Sequence, residues 1–434
     1  MTDNRNILAN LSYPSRFHRE HAPSWTTAVL AALGYAAPEL SGGRWCEIGC
    51  GQGLGACLLA AANPDMYFTG IDISPAHILA GRQLAQDAGL TNVEFVEMDL
   101  ANPAGRAGFS SEFDFIVAHG IYSWVEDPVR QAIRTFIGER LAVGGVAYLH
   151  YMTHPGSAPF ATFHSVFRQM AATRDGPSEQ SVEAGLKLLS TLKQSNAGFF
   201  VAHPAVGNTL EHLSREERAY IAHEYLSSSF APMHVADVMA SMKDVELDYV
   251  GSATPIENID ALSIPGSVLP VVQQAKEPAL RESLKDIARN QAHRRDLYMR
   301  QPAAMSAQNH IEALRLQIFC SLPGAPLESG LRLDTRIGPV EAPAELVSPV
   351  LARLAQAPAS FAELETIGNF TARPGLLNQM LQAMMEAGVI HPMRVVTSQD
   401  ESAERLNGVL LGRLRNGLAV PALTAPEIGS AMPL

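Results

Sequence analysis

Residues 45–55 read Trp-Cys-Glu-Ile-Gly-Cys-Gly-Gln-Gly-Leu-Gly, with glycines at 49, 51, 53 and 55. Such spacing lets a backbone turn sharply and come close to a ligand, and a helix starting behind it offers free N–H groups to an anion. Gly51-x-Gly53-x-x-Ala56 fits the dinucleotide fingerprint, and Asp72, nineteen residues beyond Gly53, fits its ribose-binding acid. Two other carboxylates separate the possible ligands. Glu47 lies inside the glycine motif, where it would repel a pyrophosphate but can accept a bond from an ammonium. Asp99 ends an expected third strand, where it can accept from an exocyclic adenine amine.

The elements that must hold these residues alternate between strand and helix. Segments 44–48, 66–73, 93–98, 113–118 and 146–151 are β-branched or aromatic and read as strands. Segments 55–62, 75–89 and 128–140 read as the helices between them. Repeated βα units predict an α/β fold, a doubly wound, Rossmann-like parallel sheet over residues 1–165, with its ligand beyond the carboxyl ends of the strands. A mostly helical middle domain is expected over 166–300, including a strand at 245–250 and a charged amphipathic helix at 282–299. Three short helices (346–354, 361–367, 375–387) and a strand (389–396) predict a winged-helix-like domain over 301–400. Its third helix carries no basic residue, so it reads as an interaction or structural module. Residues 401–434 are expected to form a tail, frayed after Val420.

Composition narrows the function classes. Hydrophobic residues make up 47% and charged residues 18%, which excludes disorder for most of the chain. The net charge of −12 is spread as −5, −6 and −1 over 1–170, 171–290 and 291–434, so no third offers the positive footprint of a nucleic acid binder. Four cysteines without a C-x-x-C pair read as reduced thiols. The polar first sixteen residues lack an apolar signal core, and the longest apolar run, 56–62, is too short to cross a membrane. The expectation is a cytoplasmic protein without membrane insertion. His18 with His21, and His150 with His154, have ligand spacing but no accompanying carboxylate or cysteine cluster, so no metal is expected.

The glycine motif, Glu47, Asp72, Asp99 and the glycine pair in Leu141-Ala-Val-Gly-Gly-Val146 together resemble the class I S-adenosylmethionine-dependent methyltransferases. A closer likeness lies in the strings Tyr13-Pro-Ser-Arg-Phe-His-Arg-Glu20, Ala118-His-Gly-Ile-Tyr-Ser-Trp-Val125 and Tyr151-Met-Thr-His-Pro-Gly156. His223-Glu-Tyr-Leu226 and Asp248-Tyr-Val-Gly-Ser-Ala253 add to it. These are similar to bacterial methyltransferases with an appended methyltransferase regulatory domain, a group that includes outer-membrane-protein lysine methyltransferases. The likeness spans about residues 10–300. Met152 and Ser157 depart from it, where that group has Asn and an aromatic, both near the expected substrate entrance.

The resemblance implies S-adenosyl-L-methionine as cofactor and assigns roles. Glu47 would lie near the methionine amino end, Gly49, Gly51 and Gly53 against the cofactor backbone, and Asp72 with Ile73 beside the ribose. Asp99 with Leu100 would hold the adenine. Tyr13 and His18 belong either to a lid over the cofactor or to packing, and His119 is either a cofactor neighbour or a buried, satisfied histidine. His223, Glu224 and Tyr225 would sit at the seam between domains, orienting substrate, assisting proton removal or serving as a hydrogen-bonded strut.

A lysine acceptor must lose its proton, which costs roughly 4 kcal/mol near pH 7.4 from a pKa of about 10.4. An apolar or aromatic pocket lowers that pKa by desolvation. Tyr122 and Trp124, after the fourth strand, are placed either to line such a pocket or to cap the sheet. The expected partner is therefore a methyl acceptor, most simply a protein lysine. A small amine, phenol or thiol, a non-catalytic cofactor-binding module and a nicotinamide oxidoreductase are the rivals.

Overall fold

The computed structural model describes residues 16–107, 111–173, 177–227, 229–326, 330–335, 337–394 and 401–434, with Ala107 and His223 described by their backbone only. Five parallel strands form the heart of the molecule: β1 (Arg44–Ile48), β2 (Tyr67–Asp72), β3 (Val93–Glu97), β4 (Phe113–Ala118) and β5 (Leu141–Met152). Four helices pack on them: α1 (Pro23–Leu33), α2 (Leu54–Ala62), α3 (Pro75–Asp87) and α4 (Asp127–Arg140). Ser74 caps α3 by accepting from the His77 N–H, and Pro75 opens its first turn, where a missing N–H costs nothing.

Two further strands, β6 (Leu247–Ser252) and β7 (His293–Arg300), extend the sheet to the order β3-β2-β1-β4-β5-β7-β6. β7 runs antiparallel to both its neighbours. The charged helix expected over 282–299 is thus two elements, a helix α5 (Pro278–Arg289) and the strand β7. Its charges misled the reading because they face inward. Arg294, 3% exposed, binds Asp286 at 2.5 Å, Glu282 at 2.8 Å and Asp296 at 2.9 Å. Helix α5 correspondingly buries Glu282, Asp286 and Arg289 while Leu280 and Ile287 face solvent. A run of charges usually marks a solvated face; here full pairing lets it replace apolar core.

Between β5 and β6 lie the helices Ala158–Ala172, Ser178–Gln194, Gly198–Ala202, Pro204–Arg215 and Arg218–Tyr225, closed around Phe163, Phe167, Leu186, Leu210 and Ile221. Towards the C-terminus, the helices Ala344–Leu354, Phe361–Leu364 and Pro374–Glu386 accompany a three-stranded sheet of Ala359–Ser360, Ile318–Ser321 and Ile390–Pro392. Residues beyond Val420 do not fray as expected. Strands Ala422–Ala425 and Ser430–Pro433 pair with each other, and with helix α6 (Ser402–Arg415) they cover the outer side of α2. Thr424 Oγ1 donates to Leu58 O at 2.8 Å, and Asn63 Nδ2 donates to Gly429 O at 3.1 Å. With the sheet on one side and this layer on the other, Ala56 to Ala62 are all buried, which is why that helix has no polar face.

Candidate active site

The site begins where β1 hands over to α2. The N–H groups of Gly49 and Cys50 both donate to Ile71 O, at 2.7 and 3.0 Å, which pins the turn to β2. Gly49, Gly51 and Gly53 have φ of 74°, 54° and 76°, a left-handed conformation that disfavours side chains. Their surroundings differ. A Cβ on Gly53 would fall 2.4 Å from Phe95 Cε1, so that glycine answers to packing against β3, whereas a Cβ on Gly51 would meet nothing within 4 Å. Asp72, at the end of β2, accepts from the Gly51 N–H and the Ser74 N–H, both at 2.9 Å. It also stands 3.3 Å from His77 Nδ1, and that bond raises the His77 pKa. Asp72 therefore shapes the turn as well as facing the cavity.

A cavity of about 350 Å³ opens at the carboxyl ends of these strands. Of the residues singled out from the sequence, it is lined by His18, Glu47, Gly49, Gly51, Asp72, His119, Trp124 and Glu224. Others lie elsewhere. Tyr122 is 1% exposed, packs in the core beside α4 and accepts a bond from Arg134 Nη1 at 2.8 Å. Tyr225 packs against Phe167 within the helical layer, with ring centroids 5.3 Å apart. Both rings are drawn into apolar cores because each follows the buried face of its own segment. Gly53 does not line the cavity, nor does Leu100, which is core. Asp99 and Ile73 are exposed, and Asp99 Oδ1 accepts from the Ala101 N–H. Tyr13 and the His223 side chain lie outside the described residues; the His223 backbone belongs to helix Arg218–Tyr225.

Burial governs the charges here. It pushes the Glu47 carboxyl up to about 8, with the nearby Asp72 charge adding to the rise. His21 Nδ1 stands 3.6 Å from Glu47 Oε1, but burial holds His21 well below the usual imidazole range. Both partners are therefore neutral near pH 7, and their contact is no ion pair. His18, His119 and His150 are held neutral in the same way. They stack, His18 on His119 at 3.9 Å between centroids and His119 on His150 at 4.2 Å, with Trp124 beyond at 6.2 Å. Among the described residues no group of three or more His, Cys, Asp or Glu side chains is placed to hold a metal.

Residues 46–147 match the family described as "Methyltransferase domain", and residues 217–300 match the "Predicted methyltransferase regulatory domain". The chain is an S-adenosylmethionine-dependent methyltransferase. The methyltransferase is 28% identical, over its whole length and 86% of the relative's, to an uncharacterized protein of Synechocystis. A shorter stretch, 20% of the chain, is 35% identical to 42% of the ribosomal RNA small subunit methyltransferase G of Shewanella amazonensis. Its fold is similar to that of PKMT2 from Rickettsia typhi, solved in complex with AdoHcy, with a TM-score of 0.72, 18% identity and coverage of 98% of this chain and 86% of that one.

The residues present suit the cofactor. Among the described residues the buried carboxyl of Glu47 has no cationic partner, which fits it for the ammonium of a methionyl group. The open side of Gly51 leaves room for close backbone approach. Sequence reasoning missed much of the remaining lining, including Arg16, Phe17, Gln52, His77, Ile121 and Ser227. His77 was legible in principle, three residues past the Ser74 cap. Arg16 lies within the Tyr13–Glu20 string without a role read for it, and Ser227 carries no local signal, since only the tertiary fold brings it to the cavity.

Proposed function

We propose that the methyltransferase modifies an amine, the side chain of a protein lysine. The observation that carries this reading is the pairing of the Trp124 ring with the Glu224 carboxylate at the lining of the same cavity. An aromatic face and a carboxylate suit a cationic amine on arrival. The Trp124 ring, flanked by Phe230 at 5.9 Å and His150 at 6.2 Å, then supplies the desolvation that favours the neutral nucleophile.

S-adenosylmethionine, when bound, supplies a methyl group made electrophilic by its sulfonium. The chain's own work is alignment. Glu47 takes the ammonium end, Gly49 and Gly51 allow close approach, and Asp72 with Ile73 addresses the ribose. Asp99 and Leu100 are assigned to the adenine. His18 and Phe17, which line the cavity, are assigned to shielding the cofactor from water. We read residues 301–400 as a winged-helix-like interaction module, residues 1–165 and 166–300 as the cofactor and regulatory-type domains, and residues 401–434 as the segment that locks onto α2. We assign the protein's work to the cytoplasm, where its four unpaired cysteines would stay reduced. No helix among the described residues is long and apolar enough to cross a membrane.

The test is release of S-adenosylhomocysteine with lysine peptides, with the same peptides reductively dimethylated at lysine, and with small amines, phenols and thiols. Turnover confined to unmodified lysine peptides is expected. Turnover of a phenol or thiol with none of any lysine peptide would overturn the reading.

A further inference from the structure

Helix α3 starts directly after its Ser74 cap, which puts Pro75, Ala76 and His77 in its first turn. The His77 N–H donates to Ser74 Oγ at 3.4 Å. His77 thus holds the third helical position, from which a Glu or Gln commonly reaches back to the cap residue. The imidazole reaches past the cap instead, to Asp72 Oδ1 at 3.3 Å, and its ring lines the cavity.

Asp72 has little capacity left. Each oxygen of a carboxylate offers about two places to a donor. Oδ1 accepts from the Ser74 N–H and from His77, and Oδ2 accepts from the Gly51 N–H, so the one open place is on Oδ2. A ribose presents two hydroxyls on adjacent carbons, and Asp72 can take one of them but not both. His77 supplies the missing partner. An ionised carboxylate only accepts, so the ring proton sits on Nδ1 and the neutral imidazole keeps a lone pair on Nε2. Among the described residues no bond to Nε2 is formed.

On the reading of Asp72 as the ribose carboxylate, we infer that His77 Nε2 bonds the ribose hydroxyl that Asp72 cannot accept, so that the two side chains bind the diol as a pair. Asp72 then has two tasks, holding one hydroxyl and orienting the ring that holds the other. The same bond favours the charged ring by raising the His77 pKa. In that state Nε2 donates to the oxygen of the same hydroxyl, so the contact keeps its partners and reverses its direction. Gln52 also lines the cavity, but it is not tied to Asp72.

Calorimetry on the full chain with S-adenosylhomocysteine and its 2′-deoxy and 3′-deoxy forms tests the pairing. The wild type should bind both deoxy forms less tightly than the parent. His77→Asn keeps an amide N–H near the place of Nδ1 and has nothing in the place of Nε2. It should weaken the parent about fivefold, the scale of one neutral hydrogen bond, and leave unchanged the deoxy form that lacks the hydroxyl held by His77. Equal losses for all three nucleosides, no loss for the parent, or the expected pattern in Gln52→Ala instead would overturn the inference. Should His77→Asn fail to fold, nitrogen-15 NMR of His77 in the wild type carries the test. Its Nε2 resonance should move with the parent and with one deoxy form only, and a resonance that moves with neither or with both counts against the pairing. A wild type indifferent to both missing hydroxyls defeats the ribose reading of Asp72 and the inference together. A wild type that needs both hydroxyls, with His77→Asn its equal, defeats the inference alone.

Discussion

At one end of the cavity, Glu47, Gly49, Gly51 and Asp72 come from a single β1-α2-β2 unit, in which the Gly51 N–H donates to the Asp72 carboxylate and the Gly49 N–H to Ile71 O. At the other, Arg16, Trp124, Glu224 and Ser227 arrive from three separate stretches of chain. The first end is a rigid turn whose geometry follows from local glycine conformations. The second is an assembly that exists only when the helical layer is docked. A site built this way can hold its cofactor in one fixed manner while the acceptor side varies with the layer above it.

Four measurements would break or sharpen that contrast. Asp72→Ala should have the largest effect, a loss of about 2–3 kcal/mol in S-adenosylmethionine affinity by calorimetry, because charge-assisted bonds go and the Gly51 turn loosens with them. The KM for the acceptor should stay within twofold; a comparable rise there would mean that the two ends are not independent.

Next comes pH. Glu47 is protonated below about 8 in the free protein and must ionise to hold an ammonium. Cofactor affinity should therefore rise with pH, by up to about tenfold per unit below that value, and fall again above it as the cofactor's own ammonium, with a reference pKa of about 8, loses its proton. Neighbouring His21 is held neutral by burial, so it does not reverse the sign. Glu47→Gln should flatten the rising limb, and a limb that keeps its slope in that variant would assign the titration to another group.

Trp124→Ala should lower kcat/KM several-fold with the cofactor Kd unchanged, and should move the acidic limb of the pH–rate profile to higher pH as the amine regains its hydration. Equal losses in cofactor affinity would place the ring in the scaffold. The smallest effect belongs to Glu224→Gln. Solvent screens its charge, so a two- to threefold rise in KM for a cationic acceptor, roughly the range of a half-exposed ion pair, is expected. Salt should abolish the difference, and a salt-independent loss would point instead to packing.

The contrast also explains what the sequence could reveal. All five parallel strands and the glycine turn were legible, because each depends on residues a few positions apart. Gly53 shows the limit even there: spacing cannot tell a glycine that faces a ligand from one that faces Phe95. Strand β7 was hidden because its alternating charges are paired inside by partners on α5, and pairing is a tertiary fact. Tyr122 and Trp124, two residues apart, looked equivalent. The turn from Ile121 to Trp124 sends one into the core and leaves the other on the cavity.

The layer over α2 carries a consequence for synthesis. The bond from Thr424 to Leu58 joins residues 366 positions apart, and the cofactor helix is not covered on its outer side until both partners exist. At ribosomal speeds of about 5–20 residues per second, that helix waits roughly 20–70 s with an apolar face uncovered. The nascent sheet therefore emerges with its most hydrophobic helix open to solvent, a state in which holdase chaperones compete with self-association. The helix that starts at the cofactor turn is made early and buried late.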